Sequence, residues 1–243
     1  RLQDDFDFGL FTARFKHSYP KHEKLGAVSV YRLGLGLPFD KYFLPILGYL
    51  RAKKLISNSR FQILDSRFLL CGMMASYGSI AAYFLKKKNP EINFLLTLQE
   101  GDPEKYLFHG RGGLMGFWLR RLVQKADFIQ TISQYLKRLA IKAGKDTSKI
   151  EVVPNGVDLN IFSQKFDRNH LRELKIKLGL PDGKPVIITA SRLAHKNAVD
   201  ILIRAMAEIP EAHLLIAGTG PKEKELRQLA QNLKKERMIH FLG

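Results

Sequence analysis

The chain has 243 residues, room for one large domain or two small ones. Its 45% hydrophobic and 26% charged content is that of a soluble globular protein, which excludes a disordered or fibrous chain. The 40 Lys and Arg against 23 Asp and Glu leave a formal charge of +17, a field that draws anions such as nucleic acid, anionic lipid headgroups or phosphorylated substrates. One cysteine, Cys71, excludes an intramolecular disulfide framework and suits a reducing compartment; in its apolar run it reads as buried packing. No apolar run reaches the ~18 residues of a transmembrane helix, and the amino terminus has no charged-then-apolar signal pattern. The chain begins with Arg1 and stops just after the strand-like MIHFLG, so it reads as a piece cut at both ends.

Taken in order, short apolar runs alternate with longer helical patterns, the signature of βα units and parallel sheets. Strands are predicted at Val28–Leu33, Gln62–Ser66, Asn93–Leu98, Phe128–Ile132, Ile150–Pro154, Val186–Ala190, His213–Ala217 and Met238–Leu242. Their nearly continuous apolar character predicts cover on both sheet faces. Helical spacing places Leu114, Phe117, Trp118 and Leu122 on one core face. The same holds for Val199, Leu202, Met206 and Ile209, and for Leu226, Leu229, Ala230 and Leu233. Trp118 accordingly reads as packing and not as a sugar platform. The run Tyr42–Leu55, YFLPILGYLRAKKL, joins an apolar stretch to a cationic end; it is too short to span a membrane, and reads either as a surface-docking segment or as a core helix with a basic tip. Lys86, Lys87 and Lys88 read as a helix carboxyl end, where cations suit the dipole. Between 158 and 185 the rhythm breaks into a basic helix-like run, His170 to Leu178, and then Gly179, Pro181, Asp182, Gly183 and Pro185. That is linker chemistry.

Several strand ends carry candidate chemistry. Arg192 and Lys196 follow Val186–Ala190, and two cations at the carboxyl end of a strand in an open α/β sheet suit a phosphate or pyrophosphate. They read equally as solvated residues of an ordinary loop. Gly218 and Gly220 follow the next strand, where glycines permit close backbone approach or simply a tight turn. Asn155 and Gly156 end Ile150–Pro154, either as a plain turn or as a cleft-facing one. Gln99, Glu100 and Asp102 follow Asn93–Leu98, where a carboxyl suits acid, base or hydroxyl-accepting work. The seven histidines show no metal-ligand spacing, and no G-x-S-x-G or Walker A string occurs, so metal, hydrolase and P-loop chemistry are not expected.

The strings ADFIQTISQYLKRLAIKAG, KIEVVPNGVDLNIF, SRLAHKNAVDILIRAM and LLIAGTGPKEKELRQLA, in that order over roughly residues 126–243, resemble a retaining glycosyltransferase of family 4. Weaker similarity runs back through FLLTLQEGD and SIAAYFLKKKNP. The resemblance implies an α/β, GT-B-like fold: two Rossmann-like parallel-sheet domains facing across a cleft, both incomplete in this chain. Residues 1–160 would be the acceptor-side domain lacking its first βα unit, 161–184 the interdomain linker, and 185–243 the start of the nucleotide-sugar donor-binding domain. It implies that Arg192 and Lys196 are catalytic, binding the donor diphosphate and stabilising the leaving group. Gly218 and Gly220 would shape the donor loop, and Gln99, Asp102, Asn155 and Gly156 would border the acceptor side. No metal and no cofactor are implied, the nucleotide-sugar (UDP- or GDP-sugar) being substrate. The family's lysine-glycine reads Asn197-Ala198 here, its histidine-glycine reads Gln99-Glu100, and its acidic donor-sugar motif would lie beyond Gly243.

The expected activity is therefore hexose transfer from a nucleotide-sugar to a glycan or lipid-linked acceptor, metal-independent and retaining, the 243-residue piece itself being inactive. The expected setting is cytoplasmic, peripheral at the inner face of an anionic membrane, with no nucleic-acid partner. Two alternatives stand beside it: a sugar-nucleotide epimerase of the same architecture, against which PNGVD speaks, and a non-catalytic basic module for anionic lipid or nucleic acid, which explains +17 without chemistry.

Overall fold

A computed structural model describes residues 7–58 and 68–243; the strand expected at Gln62–Ser66 lies outside the described residues. The chain divides into two compact units, residues 1–156 and 157–243.

The first unit opens with β1 (Phe8–Ala13), β2 (His22–Leu25) and β3 (Val28–Leu33), in the order β1-β3-β2. β1 runs parallel to β3, whereas β2 and β3 form an antiparallel hairpin with Leu25 opposite Val28. The two residues between them start with Gly26 at φ 58°, the positive φ that a two-residue hairpin turn needs. Helix α1 (Asp40–Asn58) follows. Its first carboxylate accepts from the Gly36 and Leu37 N–H groups at 2.6 and 3.0 Å.

Four parallel strands complete the unit in the order β4-β5-β6-β7: β4 (Leu69–Met73), β5 (Asn93–Leu98), β6 (Phe128–Thr131) and β7 (Ile150–Val152). Between them lie α2 (Tyr77–Lys88), α3 (Glu104–His109), α4 (Leu114–Lys125) and α5 (Gln134–Lys142). Ser76 caps α2 by accepting from the Ser79 N–H, and Ser133 caps α5 by accepting from Leu136, which fixes where each βα turn becomes helix. Phe94, Leu96, Leu122 and Val123 are fully buried, each worth ~2 kcal/mol of apolar burial. At the end of α2, the Lys86 ammonium pairs with Asp127 at 2.7 Å and donates to the Pro90 and Ile92 carbonyls. Asp127 in turn accepts from the Phe94 N–H. This ion pair ties the helix to β5 and to the entrance of β6.

The second unit contains α6 (Leu159–Phe162), α7 (Arg168–Lys177), β8 (Val186–Ala190), α8 (Val199–Ala205), β9 (His213–Ala217), α9 (Glu223–Asn232) and β10 (Ile239–Phe241). Its strands are parallel in the order β10-β9-β8, and its core is built on Leu193, Ile203, Met206, Leu214 and Ile216. The stretch 161–184 holds α7, capped by the Asp167 carboxylate at 2.7 Å from the His170 N–H.

Four sequence expectations are corrected. Cys71 is exposed: β4 alternates, turning Leu70 and Gly72 inward and Leu69, Cys71 and Met73 outward. On α4 the buried face is Gly116, Leu119, Leu122 and Val123, leaving Leu114 and Phe117 exposed. The rotation follows from Gly116, which abuts the Phe108 carbonyl so closely that a Cβ would sit 2.7 Å from that carbonyl carbon. In the second unit Ile203 replaces Ile209 in the core, because α8 ends at Ala205 before Ile209 is reached. Cover on both sheet faces holds for β9 but not for β8, where Ile188 is 66% exposed. No helix among the described residues is long and apolar enough to cross a membrane.

Candidate functional site

In the second unit the predicted residues gather at the carboxyl ends of two neighbouring strands. β8 and β9 run parallel, pairing Ala190 with Ala217, so the loops leaving them emerge side by side. The first loop carries Ser191, Arg192 and Leu193; the second carries Gly218, Thr219 and Gly220. Backbone bonds stitch them together: Ser191 N–H to Ala217 O, Leu193 N–H to Thr219 O and Lys222 N–H to Leu193 O, each 3.0 Å. Leu193 is fully buried and anchors the first loop to the core, which leaves Arg192 directed to solvent.

Both glycines are required by this packing. A Cβ on Gly218 (φ 134°) would collide with the Ser191 carbonyl oxygen and sit 2.9 Å from its carbon. A Cβ on Gly220 would collide with the Leu193 carbonyl oxygen and sit 2.7 Å from its carbon. Gly218 and Gly220 thus bring the second loop against the first and set the position of Arg192. The Ser191 hydroxyl is buried here with no hydrogen-bond partner, a feature sequence reading missed.

Lys196 lies in a 3-10 turn, His195–Asn197, and is exposed like Arg192. The turn is held by the Asn197 amide, which donates to the Arg192 carbonyl. It ends on Ala198 in a left-handed conformation, φ 52° and ψ 32°, which also begins α8. An alanine there is strained where glycine is at ease. The two cations therefore share one loop, which the Asn197 side chain closes.

In the first unit, Gln99 and Asp102 follow β5, and Asn155 and Gly156 follow β7. These are the same ends of parallel strands, with β6 between them. Gln99 and Asp102 are half-buried, Asn155 and Gly156 exposed. A polar row spans all three strands: Thr97 Oγ1 donates to Gln130 Oε1 at 3.1 Å, and Gln130 Nε2 donates to the Val153 carbonyl at 3.4 Å. Glu100, only 8% exposed, accepts the Ala75 N–H at 2.7 Å, tying the end of β5 to the turn before α2. Its second oxygen is buried without a partner, and burial pushes its carboxyl above the usual glutamate range. Arg111, exposed at φ 52° between α3 and α4, donates to the Tyr77 hydroxyl at 3.0 Å. Thr97–Gln130 and Arg111–Tyr77 join partners 33 and 34 residues apart, so only the fold brings them together. Trp118 packs on the core with edge contacts to Tyr83, Phe84 and Phe117. No group of three or more metal-ligating side chains occurs among the described residues.

Solved structures share this α/β, GT-B-type fold. Sucrose-phosphate synthase from Thermosynechococcus elongatus superposes with a TM-score of 0.73 at 20% identity, covering 98% of this chain and 60% of that one. HepE of Anabaena, crystallised with UDP, gives 0.66 at 18% identity, covering 89% and 55%. Among curated proteins, a GDP-mannose-dependent monoacylated alpha-(1-6)-phosphatidylinositol monomannoside mannosyltransferase of Corynebacterium glutamicum is 36% identical over 129 residues, 51% of this chain and 33% of its own length. An alpha-monoglucosyldiacylglycerol synthase of Streptococcus pneumoniae is 30% identical over 164 residues, 64% of this chain and 37% of its own. The chain thus spans about a third of the length of these curated relatives. Residues 172–243 match the Glycosyl transferases group 1 family and residues 2–161 match Glycosyltransferase Family 4. With the second match covering well over half of its length, the chain belongs to glycosyltransferase family 4.

Proposed function

We propose that the protein transfers a hexose from UDP- or GDP-sugar to a glycan or lipid-linked acceptor, with retention and without a catalytic metal or cofactor. The observation that carries this is the pair Arg192 and Lys196, both exposed on one loop at the carboxyl end of β8, beside the glycine loop of β9. Departure of a nucleoside diphosphate places new negative charge on its oxygens, and fixed cations offset it without reorganising. Arg192 would clamp two phosphate oxygens, and Lys196 would add a mobile point charge. Gly218 and Gly220 act by holding the two loops together. Gln99, Asp102, Asn155 and Gly156 would line the acceptor side.

Residues 1–160 would serve the acceptor and 185–243 the donor, joined by 161–184. The activities for which the mannosyltransferase and the glucosyldiacylglycerol synthase are named, one on a phosphatidylinositol monomannoside and one yielding a glucosylated diacylglycerol, support a lipid-linked acceptor and hence peripheral contact with an anionic membrane.

Thermal-shift screening of the full-length protein with UDP-, GDP- and ADP-sugars tests the reading. Saturation at about a hundred times Kd adds ~2.7 kcal/mol to stability, an upward shift of several degrees. One nucleotide is expected to stabilise the wild type and to do nothing for Arg192→Ala. Indifference of the wild type to all three overturns the proposal.

A further inference from the structure

We infer that the outer face of α1, with the adjoining edge of α2, is the surface by which this protein docks on an anionic lipid bilayer. The inference deepens the peripheral membrane contact of the proposed function by giving that contact a site.

Helix α1 is apolar on two sides. Leu44, Ala52 and Ile56 point into the unit and are buried. Tyr42, Phe43, Ile46 and Leu50 point outward and are each more than half exposed. A soluble helix needs one apolar stripe; a second, contiguous one left in water marks an interaction surface. Beside it, Pro45, Ile46, Tyr49 and Leu50 of α1 and Phe84 of α2 line an apolar groove of about 540 Å³. The helices lie close beneath it because Gly48 faces Ala81, where a Cβ on residue 48 would sit 3.0 Å from the alanine methyl. The apolar surface continues onto the aromatic rings of Trp118, 6.0 Å from Phe84, and of Phe117, 47% exposed.

The charge around this face selects its occupant. Lys87 and Lys88 close one end of the groove, and Lys53 and Lys54 project from α1; all four are exposed. Arg121 of α4 lies over the Phe117 ring at 5.2 Å. Among α1, α2 and α4 the one carboxylate is Asp40, 2% exposed and bound to backbone N–H groups. Lysines bordering exposed aliphatic and aromatic groups suit a headgroup layer, where the apolar groups enter the acyl boundary and the ammonium groups meet phosphates. A second copy of the chain is disfavoured, because a symmetric contact would set this cationic border against itself in a protein of +17.

The test is cosedimentation of the 243-residue chain with phosphatidylcholine vesicles, with and without phosphatidylglycerol. Binding is expected only with phosphatidylglycerol present, weakening as salt is raised. Lys87→Gln with Lys88→Gln should lower the partition coefficient about fivefold per cation, roughly 25-fold together. Ile46→Glu with Leu50→Glu should abolish binding while circular dichroism and the thermal midpoint stay unchanged, both side chains being exposed. Arg192→Ala should bind vesicles as the wild type does, so failure of the donor-site reading and failure of this one are separately visible. Equal binding to both vesicle types, absence of binding, or a dimer that Ile46→Glu with Leu50→Glu converts to monomer would overturn the inference.

Discussion

Placing one methyl group on Gly218 probes whether the donor loop is built by close backbone packing. At φ 134° the residue occupies a region that L side chains rarely adopt, which costs on the order of 1–2 kcal/mol for alanine. The new Cβ would meet the Ser191 carbonyl, and backbone cannot rotate aside as a side chain can. Separation of the loops would loosen the Ser191–Ala217 and Leu193–Thr219 bonds, each worth ~1 kcal/mol. Together these give about 3–4 kcal/mol, a large share of the ~5–15 kcal/mol that holds a domain folded. Gly183→Ala is the control: φ is 76° but nothing lies within 4 Å of its Cβ, so only the conformational cost of ~1 kcal/mol remains. Urea titration reads the difference. The only tryptophan, Trp118, lies in the first unit, so its fluorescence should keep the wild-type midpoint while the circular dichroism of the second unit melts earlier. A Gly218→Ala cost no larger than that of Gly183→Ala would refute the reasoning.

Other substitutions test other joints. Lys86→Met removes the partner of Asp127 and should cost roughly 3 kcal/mol, read as a lower urea midpoint by Trp118 fluorescence, because a half-buried carboxylate loses its counter-charge. The Glu100 carboxyl, raised by burial above the 4.5 of a solvated glutamate, holds its proton more tightly folded than unfolded. Its contribution is fully present below about pH 4.5 and is lost as pH rises through the raised value. Stability measured against pH should therefore fall across that window in the wild type and lose this component in Glu100→Gln. Ala198→Gly relieves the left-handed alanine at the start of α8 and should stabilise the second unit by up to about 1 kcal/mol less the added freedom of the unfolded chain, read as a higher thermal midpoint.

How much of this was legible beforehand differs by element. Asn93–Leu98, Val186–Ala190 and His213–Ala217 stand where the apolar runs placed them, because a short run of branched and aliphatic residues bounded by polar and glycine residues is enough to mark a strand. Val28–Leu33 was also placed correctly, but its hairpin partner β2 was missed, since HEKL is polar and only its pairing with β3 makes it a strand. On α4 Leu122 and Trp118 meet the core as expected but Leu114 and Phe117 do not, because a glycine, invisible to an apolar count, sets how the helix rolls against α3.

The candidate site divides along the same line. That Arg192 and Lys196 follow a strand, and that glycines follow the next, is written in the order of residues, as is membership of the family. The reason for those glycines is tertiary: they admit the neighbouring loop, and that contact is made by atoms 27 residues away, Ser191 to Gly218. Gln130 bridging β5 to β7, and Glu100 holding the turn before α2, likewise exist only once parallel strands bring distant side chains to one edge. The run Tyr42–Leu55 left two readings open, and which of its residues face the core was settled only by the fold, which buries Leu44 and Ala52 and leaves Tyr42, Phe43, Ile46 and Leu50 exposed. Apolar pattern names the elements, because burial is local chemistry repeated at a fixed period; which face is buried, and which polar groups meet, depends on shape, which no period encodes.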